Sequence, residues 1–194
     1  NNLTINKPSG LTTLSSNVTV NGVLNFISGS IQTGINVVIQ PSSGSVSGAA
    51  QNTGWVNGYL QKSIVTGSNV SNSFEIGDPT YYAPATLLFA NVSVAGNLTA
   101  STTPAEHPQI DLSGINKNLD VNRYWTLTNT GVGFTTTATT LNWVPSDVDL
   151  GATTANFKTS VYDGISWGIS NVALPLPTSI QATGSTSLGS FVVG

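Results

Sequence analysis

Eight carboxylates, one histidine and five basic side chains are all the strongly ionisable chemistry that this chain of 194 residues carries. Asp147 and Asp149, in "PSDVDLG", stand two positions apart. On a strand that spacing puts both carboxylates on one face, and in a loop it lets them chelate Ca²⁺ together with backbone carbonyls. They are the candidate metal ligands, without the EF-hand spacing or the G-G-x-G-x-D repeat around them. Asp78 in "GDP" and Asp163 in "YDG" occupy turn-favouring contexts instead. A glycosidase needs two acids facing each other across a sugar cleft, and acids placed mostly in turns are a poor source of that pair.

His107, in "TPAEHPQ", is the sole histidine. A Ser-His-Asp triad requires it beside a nucleophile, and no G-x-S-x-G elbow is present. A single histidine with no cysteine is also a poor zinc site. His107 is therefore read as a loop residue, and the chain as non-enzymatic, with catalytic residues none and no cofactor beyond calcium at Asp147 and Asp149.

Sugar rings stack on flat aromatic faces, and Trp55, Tyr59, Trp125, Trp143 and Trp167 could supply such a platform. "RYWTL" and "LNWV" set Trp125 and Trp143 among strand apolar residues, which makes them core. Tyr81 and Tyr82, in the proline-flanked "GDPTYYAPA", are the better candidates for a glycan contact. Lys62 and Lys158 would form an intramolecular isopeptide bond only if buried beside an asparagine and an acid, and no such pairing is legible. The five N-x-S/T sequons, at Asn2, Asn17, Asn69, Asn91 and Asn97, follow from a composition rich in Asn, Ser and Thr.

Only 7% of residues are charged, against ~25% in an ordinary soluble domain, so hydroxyls and amides must make the surface. Net charge is -3 and the basic residues are scattered singly, which leaves no stripe to neutralise nucleic acid. The absence of Cys and Met excludes disulfides, thiolate metal sites and a cysteine nucleophile, and suits an extracellular bacterial protein. No apolar run of about 18 residues inserts into a membrane. "NNLTIN" reads straight into a strand with no basic and apolar leader, as expected of a mature form or an excised piece.

These residues must be positioned by strands. Val, Ile, Thr and aromatic residues come in short runs separated by Gly, Asn, Ser and Pro, which predicts an all-β chain. "VTV" at Val18, "VVI" at Val37 and "WVNGYL" with Val56 start 19 residues apart, and "NGVL" is echoed by "NGYL" and loosely by "SGSV". A period near 20 predicts parallel β-solenoid-like coils over residues 1–70. The competing reading is an antiparallel meander, because Asn21-Gly22 is also a hairpin signal that would pair Val18–Val20 with Val23–Asn25. The first coil, at Leu3, shows no cap and is expected to stack on a preceding module. From Ser71 the strands lengthen and alternate, predicting an antiparallel β-sandwich, jelly-roll or Ig-like, over residues 71–194.

The phrases "VTVNGVL", "GWVNGYLQKSI", "FEIGDPTYYAPATLLF", "VNRYWTLTNTG", "DVDLG", "FKTSVYDGISWG" and "FVVG", in that order, resemble the repetitive β-rich regions of large Bacteroidetes surface proteins exported by the type IX secretion system. The resemblance spans Leu3 to Gly194. It implies a secreted or cell-surface protein of the adhesin or gliding-motility kind, in which a sorting domain commonly follows the closing "F.VG". The expected function is that of a structural, adhesive module: a stiff spacer whose partners are neighbouring modules of the same chain, copies of itself, or surface glycans. The alternative is a carbohydrate-binding accessory domain of a secreted polysaccharide-degrading enzyme.

Overall fold

A computed structural model describes residues 1–194, the side chain of Leu174 excepted. The chain is all-β, as its strand-forming runs predict. Nine strands build its first part: β1 (Leu3–Asn6), β2 (Thr12–Thr13), β3 (Val18–Thr19), β4 (Val23–Ser28), β5 (Ile31–Gln40), β6 (Ser45–Ser47), β7 (Val56–Ile64), β8 (Gly67–Phe74) and β9 (Ile76–Gly77). β4 runs parallel between β1 and β6. On the other face β2 and β3 both lie parallel to β5, β5 to β7, and β7 to β9. This is a parallel β-solenoid of about three turns, as the repeat predicts.

The Asn21-Gly22 corner settles the hairpin alternative. β3 pairs with β5, whereas β4 pairs with β1 and β6, so the strands flanking the corner belong to different ladders. Gly22 is itself a ladder residue: its N–H donates to Asn1 O at 2.9 Å and its carbonyl accepts from Ser45 N at 3.1 Å. A Cβ at Gly22 would collide with Asn2 Oδ1.

The repeat is less even than the sequence spacing suggests. Val18 faces Val38, and Val38 faces Leu60, while Val56 belongs to a separate column with Thr12, Ile31 and Ile76. "NGYL" therefore lies inside β7 and is not the equivalent of the "NGVL" corner. The looser echo "SGSV" is: Val23 faces Ser45 and Leu24 faces Val46. Amide side chains bridge successive coils, which accounts for much of the Asn and Gln. Asn2 Oδ1 accepts from Val23 N at 2.9 Å, Asn17 Oδ1 from Val37 N at 3.0 Å, and Gln40 Nε2 donates to Ser45 O at 2.7 Å.

Nine more strands follow: β10 (Ala85–Val94), β11 (Gly96–Thr103), β12 (Tyr124–Thr130), β13 (Gly133–Phe134), β14 (Thr137–Asn142), β15 (Thr159–Tyr162), β16 (Trp167–Leu176), β17 (Ser179–Ser185) and β18 (Ser190–Val193). β11 pairs antiparallel with β7, opposing Ala100 to Leu60. The coil ladder thus passes directly into the antiparallel part, and residue 70 falls inside β8, which pairs with β10. β16 pairs with β15 along its first half and with β17 further on, joining the remaining strands into one mixed sheet of fifteen. Within it β16 is shared between two ladders, one of β7, β11, β12, β18 and β15 and the other of β8, β10, β13, β14 and β17.

Period-2 alternation buries one side of each strand. Leu87 and Phe89 on β10, Leu98 and Ala100 on β11, Trp125 and Leu127 on β12, and Ile180 and Ala182 on β17 join Leu24, Val38 and Leu60 of the coils in one apolar cluster. A single cluster lined from both ends of one sheet requires that sheet to curl over on itself.

A shared core makes a specific prediction. Leu24→Ala, at a side chain with no exposed area, should cost about 2–5 kcal/mol. Urea unfolding should shift by the same amount whether followed by far-UV circular dichroism or by tryptophan fluorescence. Two separated transitions, with the fluorescence midpoint unmoved, would contradict a common core.

Candidate functional site

Five of the eight acids lie on two long connections. The β11–β12 connection carries Glu106, Asp111 and Asp120; the β14–β15 connection carries Asp147 and Asp149. The two are laced together by backbone bonds: Asn122 N to Asp147 O at 2.7 Å, Asp149 N to Asp120 O at 3.0 Å, and a Val121–Val148 bridge.

Arg123, the only arginine, enters β12 with its guanidinium buried. Its Nε donates to Asp147 Oδ2 at 2.8 Å and its Nη2 to Asp78 Oδ2 at 2.5 Å, while Nη1 reaches Thr102 Oγ1 at 3.3 Å. Asp78 also closes its own turn, Oδ1 accepting from Thr80 N at 2.6 Å and Tyr81 N at 2.8 Å. Trp55 Nε1 donates to the Asp78 carbonyl at 2.9 Å. One cation therefore ties the turn after β9 to the head of β12 and to the 3-10 turn Pro145–Asp147.

That tie separates the expected calcium pair. The 3-10 turn ends at Asp147 and hands its carboxylate to Arg123. Asp149 points elsewhere, accepting from Asp120 N at 3.1 Å and from Asn122 Nδ2 at 2.7 Å. The two aspartates do not share a face, because the chain between them is not a continuous strand.

Asp149 instead meets Asp120 and Glu106. Asp120 has no exposed area, and neither its carboxyl oxygens nor those of Glu106 accept a hydrogen bond from a group outside the acid cluster. Burial first, and then the neighbouring Glu106 and Asp149, push the Asp120 carboxyl up to about 8. Burial likewise raises Glu106. Asp120, so raised, holds its proton at neutral pH and can donate it to its neighbour. Lys117, the nearest lysine, pairs with Asp111 at 2.7 Å on the exposed rim. Among the described residues, no three His, Cys, Asp or Glu side chains surround a common point as bound-metal ligands do. The cluster opens into a groove of about 730 Å³ lined by Glu106, His107, Asp111, Asn118, Asn122 and Asp149.

His107 forms the wall of this groove. Its buried ring packs edge-on against Tyr124 and Trp167, each at 5.0 Å, and tilted against Tyr162 at 5.5 Å. Nδ1 accepts from Gln109 N at 3.2 Å, and burial lowers the pKa, so the ring is an apolar partner more than a base. It also lines a second groove, of about 420 Å³, with Thr126, Asn129, Tyr162, Asp163 and Ser190 among others. Tyr124, Tyr162 and Trp167 are half-buried, each partly open to solvent.

The remaining predicted residues fall as follows. Tyr81 and Tyr82 are half-buried against the coils: Tyr82 N donates to Gln51 Oε1 at 2.8 Å, and its ring lies 5.9 Å from Trp55. Burial, then Glu75, pushes the Tyr82 hydroxyl up to about 12. Trp125 and Trp143 are core, and Trp55 is buried with them. Lys62 pairs with Glu75 at 2.7 Å, and Lys158 is exposed. Asp163 caps its turn, accepting from Ile165 N and Ser166 N, both at 2.8 Å.

Sequence reasoning missed Glu106, Asp120 and Arg123. A signal for Arg123 was present: the sole arginine of a charge-poor chain stands at the start of an aromatic strand, "NRYWTL". Nothing in "NLDVN" marks Asp120, whose surroundings come from distant segments. Comparison with family models, with curated proteins and with solved structures gave no match.

Two predictions follow from this geometry. Arg123→Met should cost about 3–5 kcal/mol in chemical denaturation, because it leaves Asp78 and Asp147 buried without a counter-charge. In EDTA, wild-type stability should fall as pH rises from 6.5 to 8. An acid whose folded pKa is raised gives stability fully present below its unfolded value near 3.8 and lost through its folded value near 8. His107, lowered by burial, acts oppositely but only below its ordinary value of 6.5, hence the window. Asp120→Asn should flatten that slope, and an unchanged slope would remove Asp120 as its source.

Proposed function

We propose that the chain is a non-catalytic structural and adhesive module of a large secreted or cell-surface bacterial protein, of the kind exported by the type IX secretion system. It acts as a stiff spacer and as a surface-contact element. The observation that carries this reading is the unbroken ladder. β7 is bonded to a coil on one side and to antiparallel β11 on the other, so load on the coils passes in register into the whole sheet. β1, β2 and β3 each pair along one side only, which leaves edges to which a neighbouring module or a second copy can add strands. The hydroxyl- and amide-rich surface suits close packing that salt barely disturbs.

A second reading, the carbohydrate-binding accessory domain, draws support from one specific arrangement. Tyr124, Tyr162 and Trp167 pack around His107, which lines two grooves carrying Asn and Asp, with Tyr162 and Thr126 in one of them, a mixture of apolar rings and hydrogen-bonding groups of the kind that sugars require.

Beads coated with the protein should be retained on polysaccharide-coated surfaces several-fold above albumin-coated beads, with no release of reducing ends. Release of reducing ends would sink the non-catalytic reading, and loss of retention across all surfaces the adhesive one. If sugar stacking is responsible, Trp167→Ala should abolish retention and Tyr81→Ala leave it unchanged.

A further inference from the structure

We propose that Glu106, Asp120 and Asp149 form a binding site for a divalent cation of the calcium class, entered from the groove beside His107. The inference stands independently of either functional reading. It begins with a shortage of donors. Asp120 is wholly buried and both its carboxyl oxygens lack a donor outside the cluster, as do both shielded oxygens of Glu106. Four acceptor oxygens without a donor are costly in an interior, and ionised ones far more so.

The surrounding protein has nothing left to give them. Arg123 is engaged by Asp78 and Asp147, and Lys117 by Asp111. The nearby backbone amides are also committed: Asp120 N to Asp149 Oδ2, Val121 N to Val193 O, Asn122 N to Asp147 O, and Asp149 N to Asp120 O. A shared proton relieves one pair of carboxyls at a time, whereas a divalent cation relieves all three together.

The donor set selects the ion. The groups of the cluster are carboxylates, and Asn122 turns its amide nitrogen to them, Nδ2 donating to Asp149 Oδ1 and to Asp147 O. No thiol exists in the chain, and the His107 ring is packed among aromatics with Nδ1 accepting from Gln109. Hard oxygen donors from irregular loops match calcium, which accepts about 6–8 oxygens in flexible geometry, better than zinc or the strict octahedron of magnesium. The carboxyls now touch pairwise and do not encircle a point. Glu106 lies in the irregular stretch between β11 and the turn at Ile110, so its side chain can swing onto an ion without disturbing a ladder. Bound there, the ion would clamp the β11–β12 connection to the β14–β15 connection and fix one wall of the groove.

The test titrates calcium chloride into EDTA-stripped protein by calorimetry, with thermal unfolding in parallel. The wild type should show saturable binding, and a Tm raised by about 5 °C or more when calcium is a hundredfold above its Kd. Magnesium at the same concentration should do much less. Asp120→Asn and Glu106→Gln should each abolish the shift, and Asp163→Asn, in an exposed turn, should keep it. Glu106→Gln carries the test if Asp120→Asn fails to fold. Absence of calcium binding to the wild type would overturn the proposal and leave the cluster held by shared protons. Binding unchanged in both cluster variants would overturn it too, by placing the ion elsewhere.

Discussion

A chain with so little charge keeps its only arginine in its interior, and the arrangement around the site depends on that choice. The Arg123 guanidinium is an obligate donor, and burying it unpaired would cost several kcal/mol. Two aspartates from segments far apart in sequence, Asp78 and Asp147, converge on it. The pairing is worth less as net stability than as specification, since an apolar trio of similar shape could pack as well. What the trio fixes is relative position: the turn leaving the solenoid, the head of β12 and the β14–β15 connection can meet in only one way. Asp120 and Asn122 immediately precede Arg123, and Asp149 closely follows Asp147, so the carboxyl cluster inherits its geometry from this tie.

The solenoid contributes the frame. Parallel coils leave open edges on either side of the stack, and here one edge is closed by antiparallel β11 rather than by a separate cap. Ladder hydrogen bonds do not distinguish the two senses strongly, so a change of direction across β7 costs little provided that the side chains keep their faces. They do: Leu60 opposes both Val38 and Ala100, and the apolar column runs from coil to sheet without a break.

Legibility in the sequence followed the range of the interactions. Strand identity is local, carried by Val, Ile and Thr and punctuated by Gly and Asn, and the all-β reading and the solenoid were recoverable on that basis. The repeat was recoverable in approximate period but not in alignment. Loops of unequal length separate the rungs, so the even spacing of Val18, Val37 and Val56 masks their membership of different columns. The site was hardest to read. Asp147 and Asp149 were the conspicuous pair because they are neighbours in the chain, yet the partners of each come from elsewhere: Arg123 for one, Asp120 and Asn122 for the other. Spacing reveals a shared face only if the intervening backbone is regular, and a 3-10 turn ending at Asp147 removes that condition.

Composition and site are linked more closely than the low charge first suggests. Eight acids face five bases, and most of those bases are spent locally: Lys62 on Glu75, Lys117 on Asp111, and Arg123 on two aspartates at once. Lys7 reaches only a backbone carbonyl, that of Leu11, and Lys158 lies at the surface. The acids left over are Asp163, solvated in its turn and held by backbone amides, and the trio Glu106, Asp120 and Asp149. Three carboxyls without a basic partner thus gather in one partly buried place, beside His107 and open to a groove, where burial keeps Asp120 protonated at neutral pH. A fold selected only for stability would gain by replacing Asp120 with an apolar or amide side chain, because an unpartnered interior carboxyl weakens it. A cation drawn in among the three carboxyls would offset that cost, and this is the physical ground of the proposed site.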